Sequence, residues 1–319
     1  MIDLARPGAN EDGSPAEVRR RFEEFVRWSI EKEWSDLSPR LSAEQREAFH
    51  AYYRLQLAHA FSPSCDRYVR ALWRGETGWV ARWIASRSGR GAGPGGVPRV
   101  LDAGSGFGTF AMLFAALGAD VVGIDLREDR VQVALTRLEA LTAKGGARLP
   151  LKLDLASVTD RLGGPFDLIW TYNALSHIDP PADFLSRARE SLADGGVLVV
   201  ADINGAHPAH RRRLGALRSE VRQSWTGADG EAHRYAVERT FTPGELRRLF
   251  EHTGFRVTHH EVLYLSPTRL PGLVSERLVR PLQRFVRAGS WFARRQFLVA
   301  DVPPVGRFHP VIVSRGVPS

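Results

Sequence analysis

Val100-Leu-Asp-Ala-Gly-Ser-Gly-Phe-Gly-Thr-Phe110 sets three glycines, Gly104, Gly106 and Gly108, behind a short apolar run that ends in Asp102. Glycines so close together take backbone angles other residues avoid and let main chain approach a ligand. If a helix starts at Thr109, its unpaired N–H groups face the same turn and can bind an anionic group. A second apolar run, Asp120-Val-Val-Gly-Ile-Asp125, ends in a carboxylate. Asp125 lies about 20 residues beyond the first glycine, the distance at which a strand–helix–strand unit brings an acid to a ribose diol. The dinucleotide fingerprint wants Gly or Ala at the position of Thr109; the third glycine falls one residue early, so the spacing points to a nucleoside rather than a dinucleotide.

The elements that must hold these residues follow from periodicity. Apolar runs at Arg99–Ala103, Asp120–Asp125, Leu149–Asp154, Phe166–Tyr172 and Val197–Asp202 alternate with helical patterns at Thr109–Leu117, Glu128–Ala143 and Pro181–Leu192. Such alternation predicts an α/β fold with a doubly wound parallel sheet. Right-handed crossovers put every strand's C-terminal end on one edge, where ligands bind. Gly104–Gly108, Asp125, Asp154, Asn173 and Asp202 fall on that edge.

The Asp102-Ala-Gly-Ser-Gly-Phe-Gly108 stretch resembles the first motif of the class I S-adenosylmethionine-dependent methyltransferases of small-molecule type, and Asp125 matches that family's ribose-binding acid. The resemblance is specific over 99–204, weaker to about 263 and absent from the first ninety residues. It implies a mostly parallel, seven-stranded Rossmann-like sheet with S-adenosylmethionine as cofactor. The glycine turn would contact the cofactor's methionine and ribose portions, and Asp102 would help hold its amino-acid end. Asp125 would accept both ribose hydroxyls, and Asp154 the adenine amino group, with Leu126 and Leu155 beside the ring. Asn173-Ala-Leu-Ser-His177 resembles the segment after the fourth strand, which places Asn173 near the methyl donor. His177 is the candidate general base, because imidazole titrates near neutral pH; a purely structural histidine is the competing reading. Each carboxylate has a plainer alternative too, since a short acid at a strand end can cap a helix.

The remaining chain surrounds this unit. Residues 1–13 read as a disordered start and 14–90 as a helical cap, with helices from Pro15, over Ala43–His59 and over Asp66–Ser86. Adjacent Tyr52 and Tyr53 cannot both point into one helical core, so one could reach cofactor or acceptor. Residues 91–98 form a glycine-rich linker, and 99–319 the cofactor-binding domain, with substrate-side insertions at 206–241 and 265–308. The first insertion reads as partly helical (Pro208–Trp225). The second carries an arginine-rich amphipathic stripe that permits peripheral membrane contact. Phe255–Leu263 and Pro310–Ser314 read as the last two strands, separated by about forty residues where the resembled family has a short turn.

The chain has 319 residues, a formal net charge of +8 and 43% apolar residues, which suits one large domain or one domain with a smaller cap. Lys32, Lys144 and Lys152 are its lysines, so the basic charge is nearly all arginine. Cys65 is the single cysteine, which excludes an intrachain disulfide and a cysteine metal cluster; no metal is expected. No apolar run reaches membrane-span length, and a cytoplasmic protein is expected. The reading for function is methyl transfer to a small-molecule acceptor, at oxygen, within a natural product, glycan or lipid-linked substrate. Nitrogen or carbon acceptors, an NAD-dependent oxidoreductase and a non-catalytic cofactor-binding protein are the alternatives. Nucleic acid is disfavoured as an acceptor because no Asn/Asp-Pro-Pro-Tyr-like segment follows the fourth strand. Oligomeric state is not legible.

Overall fold

A computed structural model of the chain describes residues 15–57, 64–145, 148–160, 162–208, 222–226, 232–236, 239–263 and 295–303. Strands β1 (Arg99–Ala103), β2 (Asp120–Asp125), β3 (Leu151–Leu155), β4 (Phe166–Tyr172) and β5 (Leu192–Ile203) form the parallel part of the sheet. Strands β6 (Arg222–Thr226) and β7 (Ala232–Ala236) pair antiparallel as a separate two-stranded hairpin. Strands β8 (Arg256–Leu263) and β9 (Arg295–Asp301) complete a seven-stranded sheet in the order β3-β2-β1-β4-β5-β9-β8. Strand β9 runs antiparallel to both β5 and β8, so it alone is reversed in a mostly parallel sheet.

Helices cover both faces, as the continuous apolar strands require. On one face lie α1 (Pro15–Glu31), α2 (Glu33–Leu37), α3 (Ala43–Leu57), α4 (Ser64–Arg74), α5 (Glu76–Arg87), α6 (Thr109–Ala116) and α7 (Glu128–Gly145). Apolar residues of α1, α4, α5, α6 and α7 join one core, in which Phe22, Phe25, Val69, Val80 and Ile84 of the cap pack with Phe114 of α6 and with Val100, Leu168 and Trp170 of the sheet; Leu37 of α2 and Phe49 of α3 pack separately with Val133 and Ala140 of α7. Helices α8 (Pro181–Ser191) and α9 (Pro243–His252) cover the other face, over Leu101, Ile169, Leu198 and Val200. Thr242 opens α9 with a capping box, its hydroxyl accepting from Glu245 N–H while the Glu245 carboxylate accepts from Thr242 N–H. Among the described residues no helix is long and apolar enough to cross a membrane.

Three expectations change. The helix over 66–86 is two, α4 and α5, divided at Gly75, which takes an extended backbone. Residues 222–226 pair as a strand in the hairpin instead of ending a helix; cross-strand hydrogen bonding outweighs the arginine-rich helical pattern there. Residues 295–301, expected within a substrate-side insertion, form β9, whose Phe297–Ala300 run is buried between β5 and β8; the segment 310–314, expected as the last strand, lies outside the described residues. So do 1–14 and 264–294, with the amphipathic stripe.

Candidate active site

Strand β1 delivers the chain to the sheet's C-terminal edge, where Gly104, Gly106 and Gly108 all adopt positive φ (79°, 53° and 74°). A Cβ at Gly104 would come within 2.6 Å of the Ala174 Cβ, so only glycine fits between β1 and the segment after β4. At Gly106 a Cβ would meet nothing within 4 Å: the turn is open on its outer side. Gly104 and Ser105 both donate to the Ile124 carbonyl, at 2.9 and 2.8 Å, which ties the turn to β2. Helix α6 starts immediately after Gly108, so its first N–H groups point back at the turn.

Two acids stand beside this loop. Asp102 is 1% exposed, and its Oδ2 has no hydrogen-bond partner among the described residues. Burial pushes its carboxyl up to about 8; a hydrogen bond from Ala111 N–H in the first turn of α6 opposes the shift, and the Asp125 charge adds to it. The helix-capping alternative for this carboxylate is therefore half realised: one bond goes to the helix and one oxygen stays empty. Asp125, also buried, accepts from Gly106 N–H at 2.7 Å on one oxygen and from Arg127 N–H at 2.9 Å on the other. Those bonds fix the carboxylate at the mouth of the turn, and each oxygen keeps a further lone pair.

Strand register sets Asp154 beside Ile124 and Leu155 beside Asp125. Asp154 is partly exposed and pairs with Lys152 at 2.6 Å. Leu155 is 41% exposed, the exposed large apolar side chain among the described residues, and Leu126 is half-buried. Asn173 follows β4 on the same edge, with φ 51° and its N–H donated to Ala201 at 2.8 Å. A non-glycine residue held left-handed marks a constrained site. One turn later, His177 ends a short 3₁₀ turn, Leu175–His177, and is half-buried. That turn is pinned by Asp202, whose Oδ2 accepts Ser176 N–H at 2.9 Å. Burial raises the Asp202 carboxyl, while Arg295 and His177 pull it down.

The cap reaches the same place. Tyr52 of α3 lies 5.1 Å from the Phe107 ring, and its hydroxyl is 3.3 Å from the Thr109 hydroxyl. Tyr53 is on the same helix, and its side chain lies outside the described structure. Sequence reasoning did not single out Arg137, buried on α7. It donates to the Phe107 carbonyl and, at 2.9 Å, to the Thr109 hydroxyl, while its other edge holds Glu33 of α2 at 2.7–2.8 Å. Nor did it single out Arg295, whose Nη1 donates to the Tyr172 hydroxyl at 2.6 Å and whose guanidinium lies 4.2 Å from the Tyr172 ring. Neither residue has a motif around it; each has a partner more than 100 positions away in the chain, Glu33 for Arg137 and Tyr172 for Arg295.

The site has the features a nucleoside-bearing cofactor needs: an open glycine turn, an orphaned buried carboxyl oxygen, a second acid with lone pairs to spare, and an apolar side chain at the edge. Comparison with known proteins gives the chain's relatives. The chain is 27% identical over 169 residues to a ubiquinone biosynthesis O-methyltransferase of Sinorhizobium fredii, covering 53% of this chain and 64% of that one. It is 30% identical over 180 residues to one from Caulobacter, covering 56% and 65%. The match to the first of these relatives thus spans less than two thirds of that protein's length. A solved S-adenosylmethionine-dependent methyltransferase of Thermotoga maritima, described as a possible histamine N-methyltransferase, aligns at 18% identity over 79% of this chain and 94% of its own, with a TM-score of 0.45. The family model described as a methyltransferase domain matches residues 29–260, and the chain belongs to that family, the class I S-adenosylmethionine-dependent methyltransferases.

Proposed function

We propose that this protein transfers a methyl group from S-adenosylmethionine to an oxygen of a small-molecule acceptor. The observation that carries the cofactor's placement is the orphaned Asp102 oxygen beneath the open glycine turn. A buried acceptor without a donor is costly, and an ammonium with three N–H donors would satisfy it. Asp102 then holds the cofactor's amino-acid end and Asp125 its ribose hydroxyls. Asp154 takes the adenine amino group, and Leu126 and Leu155 flank the ring. Bound there, the cofactor supplies an electrophilic methyl on a sulfonium. The chain's own part is to align donor and acceptor and to exclude water, worth roughly 7–11 kcal/mol of barrier for well-oriented pairs. Asn173 shapes the wall beside the transferred group, Tyr52 closes the cap side, with Tyr53 as the alternative tyrosine there, and His177 takes the acceptor's proton.

Transfer to oxygen is supported by the relatives described above, which are named as O-methyltransferases. Family membership displaces the NAD-dependent alternative.

Titration calorimetry with S-adenosylmethionine and NADH in parallel tests the cofactor. The expected result is binding of the first alone, weakened about 10- to 100-fold by Asp125→Ala, which removes hydrogen bonds to a charged group worth about 1.5–3 kcal/mol. Unchanged affinity in that variant would remove Asp125 from the ribose. Turnover with an isotope-labelled methyl group identifies the receiving atom from the product's carbon shift; a nitrogen- or carbon-bound methyl would overturn the oxygen assignment. His177→Ala is expected to lower turnover by about 10²–10⁴ with cofactor affinity intact.

A further inference from the structure

Arginine grips a carboxylate best along one edge of its guanidinium, through Nε and Nη2 in parallel. This protein uses that edge repeatedly. Arg256 donates from Nε and Nη2 to the two oxygens of Asp301, at 2.9 and 2.6 Å, and Arg127 does the same to Asp129, at 3.0 and 2.6 Å. Arg137 turns its Nε and Nη2 on Glu33. Arg295 is the exception among these. Its Nη1 is spent on the Tyr172 hydroxyl, and its Nε and Nη2 are buried with no hydrogen-bond partner among the described residues. Glu76, at the first position of α5, approaches Nη2 at 3.3 Å and leaves Nε empty. Buried guanidinium N–H groups without acceptors are rare and call for an explanation.

The position supplies one. Arg295 opens β9 at the sheet's C-terminal edge, in register with Ile203 of β5. Tyr172 beneath it immediately precedes Asn173, and its ring lies 4.5 Å from that of Phe110 in the first turn of α6. Arg295 thus reaches the edge that carries the glycine turn through Tyr172 and Phe110, and its Nη2 faces Glu76 of the cap. We propose that Arg295 is a specificity-determining residue that binds a carboxylate of the acceptor along its Nε–Nη2 edge, with Tyr172 fixing the guanidinium plane. The proposal rests on the methyltransferase reading and narrows its acceptor to a carboxylate-bearing molecule. An incoming carboxylate displaces Glu76 from Nη2 and gains two charge-assisted hydrogen bonds, while Asp202 stays in the field of the same guanidinium.

Benzoate and benzamide, alike in shape and unlike in charge, are the probes, titrated calorimetrically into protein saturated with S-adenosylhomocysteine. Benzoate is expected to bind at least tenfold tighter than benzamide. Arg295→Lys is expected to cut that preference about tenfold, because a point charge does not replace a bidentate fork. Glu76→Gln removes the resident competitor and is expected to strengthen benzoate binding. Equal binding of the two probes, no benzoate binding at millimolar concentration, or an unchanged preference in Arg295→Lys would each overturn the proposal. If Arg295→Lys fails to fold, Glu76→Gln decides alone, and unchanged or weaker benzoate binding overturns it. S-adenosylhomocysteine affinity is read in every sample. Its absence in the wild type would bring down the methyltransferase reading, whereas its presence without benzoate discrimination would bring down only the role of Arg295.

Discussion

Asp102 shows most directly how the fold spends stability on a ligand. Burial holds its carboxyl at about 8 against an ordinary value near 3.8. Below about pH 4 the group is neutral folded and unfolded, and costs nothing. Between about pH 4 and pH 8 the unfolded chain releases a proton that the folded chain retains, so stability falls as pH rises; above 8 the loss levels off. Asp102→Asn removes this titration. In the absence of cofactor, the melting temperature of wild type is expected to decline relative to the variant from pH 5 to pH 8 and then run parallel to it. S-adenosylmethionine should bind the variant more weakly, because the cationic end of the ligand loses its counter-charge. Parallel melting curves across the whole range would mean that the carboxyl is ordinary and the site is not built around it.

At the scale of elements, the glycine turn is held from two directions: by β2 through the Ile124 carbonyl, and by the cap through Arg137. The Arg137–Glu33 pair is almost wholly buried, and burial pushes the Glu33 carboxyl up against the opposing pull of Arg137. Breaking such a pair from one side leaves an uncompensated buried charge and costs about 3–5 kcal/mol, while replacing both partners by apolar residues is often neutral. Arg137→Met is thus expected to lower the urea midpoint sharply, and Arg137→Met with Glu33→Leu to restore most of it. Cofactor affinity should stay reduced in both, because the Phe107 carbonyl and Thr109 hydroxyl lose their donor. Affinity recovering along with stability would mean that the pair serves folding alone.

This link was not legible in the sequence, where Glu33 and Arg137 are two charges among many on amphipathic helices. The turn, Asp125 and the alternation of strands were legible because their signals are local: glycine spacing, a carboxylate at a strand end, apolar runs of strand length. Strand β9 was missed although Phe297–Ala300 is a plain apolar run, because arginines precede it and the second insertion obscured the frame. Arg295 shares the difficulty of Arg137, since its partner Tyr172 is 123 positions away.

Across the whole molecule, the glycine-rich linker divides the sequence, yet the core does not stop there. Residues Ala111–Ala116 of α6 are buried on every side, a state a helix reaches only when elements cover it all round. Part of that cover is α1, α4 and α5, through Phe22, Phe25, Val69, Val80 and Ile84. The linker itself is anchored, with Asp167 Oδ2 accepting Ala92 N–H at 2.6 Å and Arg99 N–H at 2.8 Å. Removing residues 1–98 would uncover the apolar face of α6, take Glu33 from Arg137 and Glu76 from Arg295, and leave both guanidiniums without their carboxylates. At about 25 cal/mol per Å² of apolar surface, even a few hundred Å² newly exposed amounts to roughly 5–10 kcal/mol, comparable to the whole stability of a domain. A chain beginning at Arg99 is therefore expected to give no cooperative melting transition and no S-adenosylmethionine binding. A sharp transition together with cofactor binding in that fragment would show that the cap only roofs the acceptor and that the sheet with its own helices is self-sufficient.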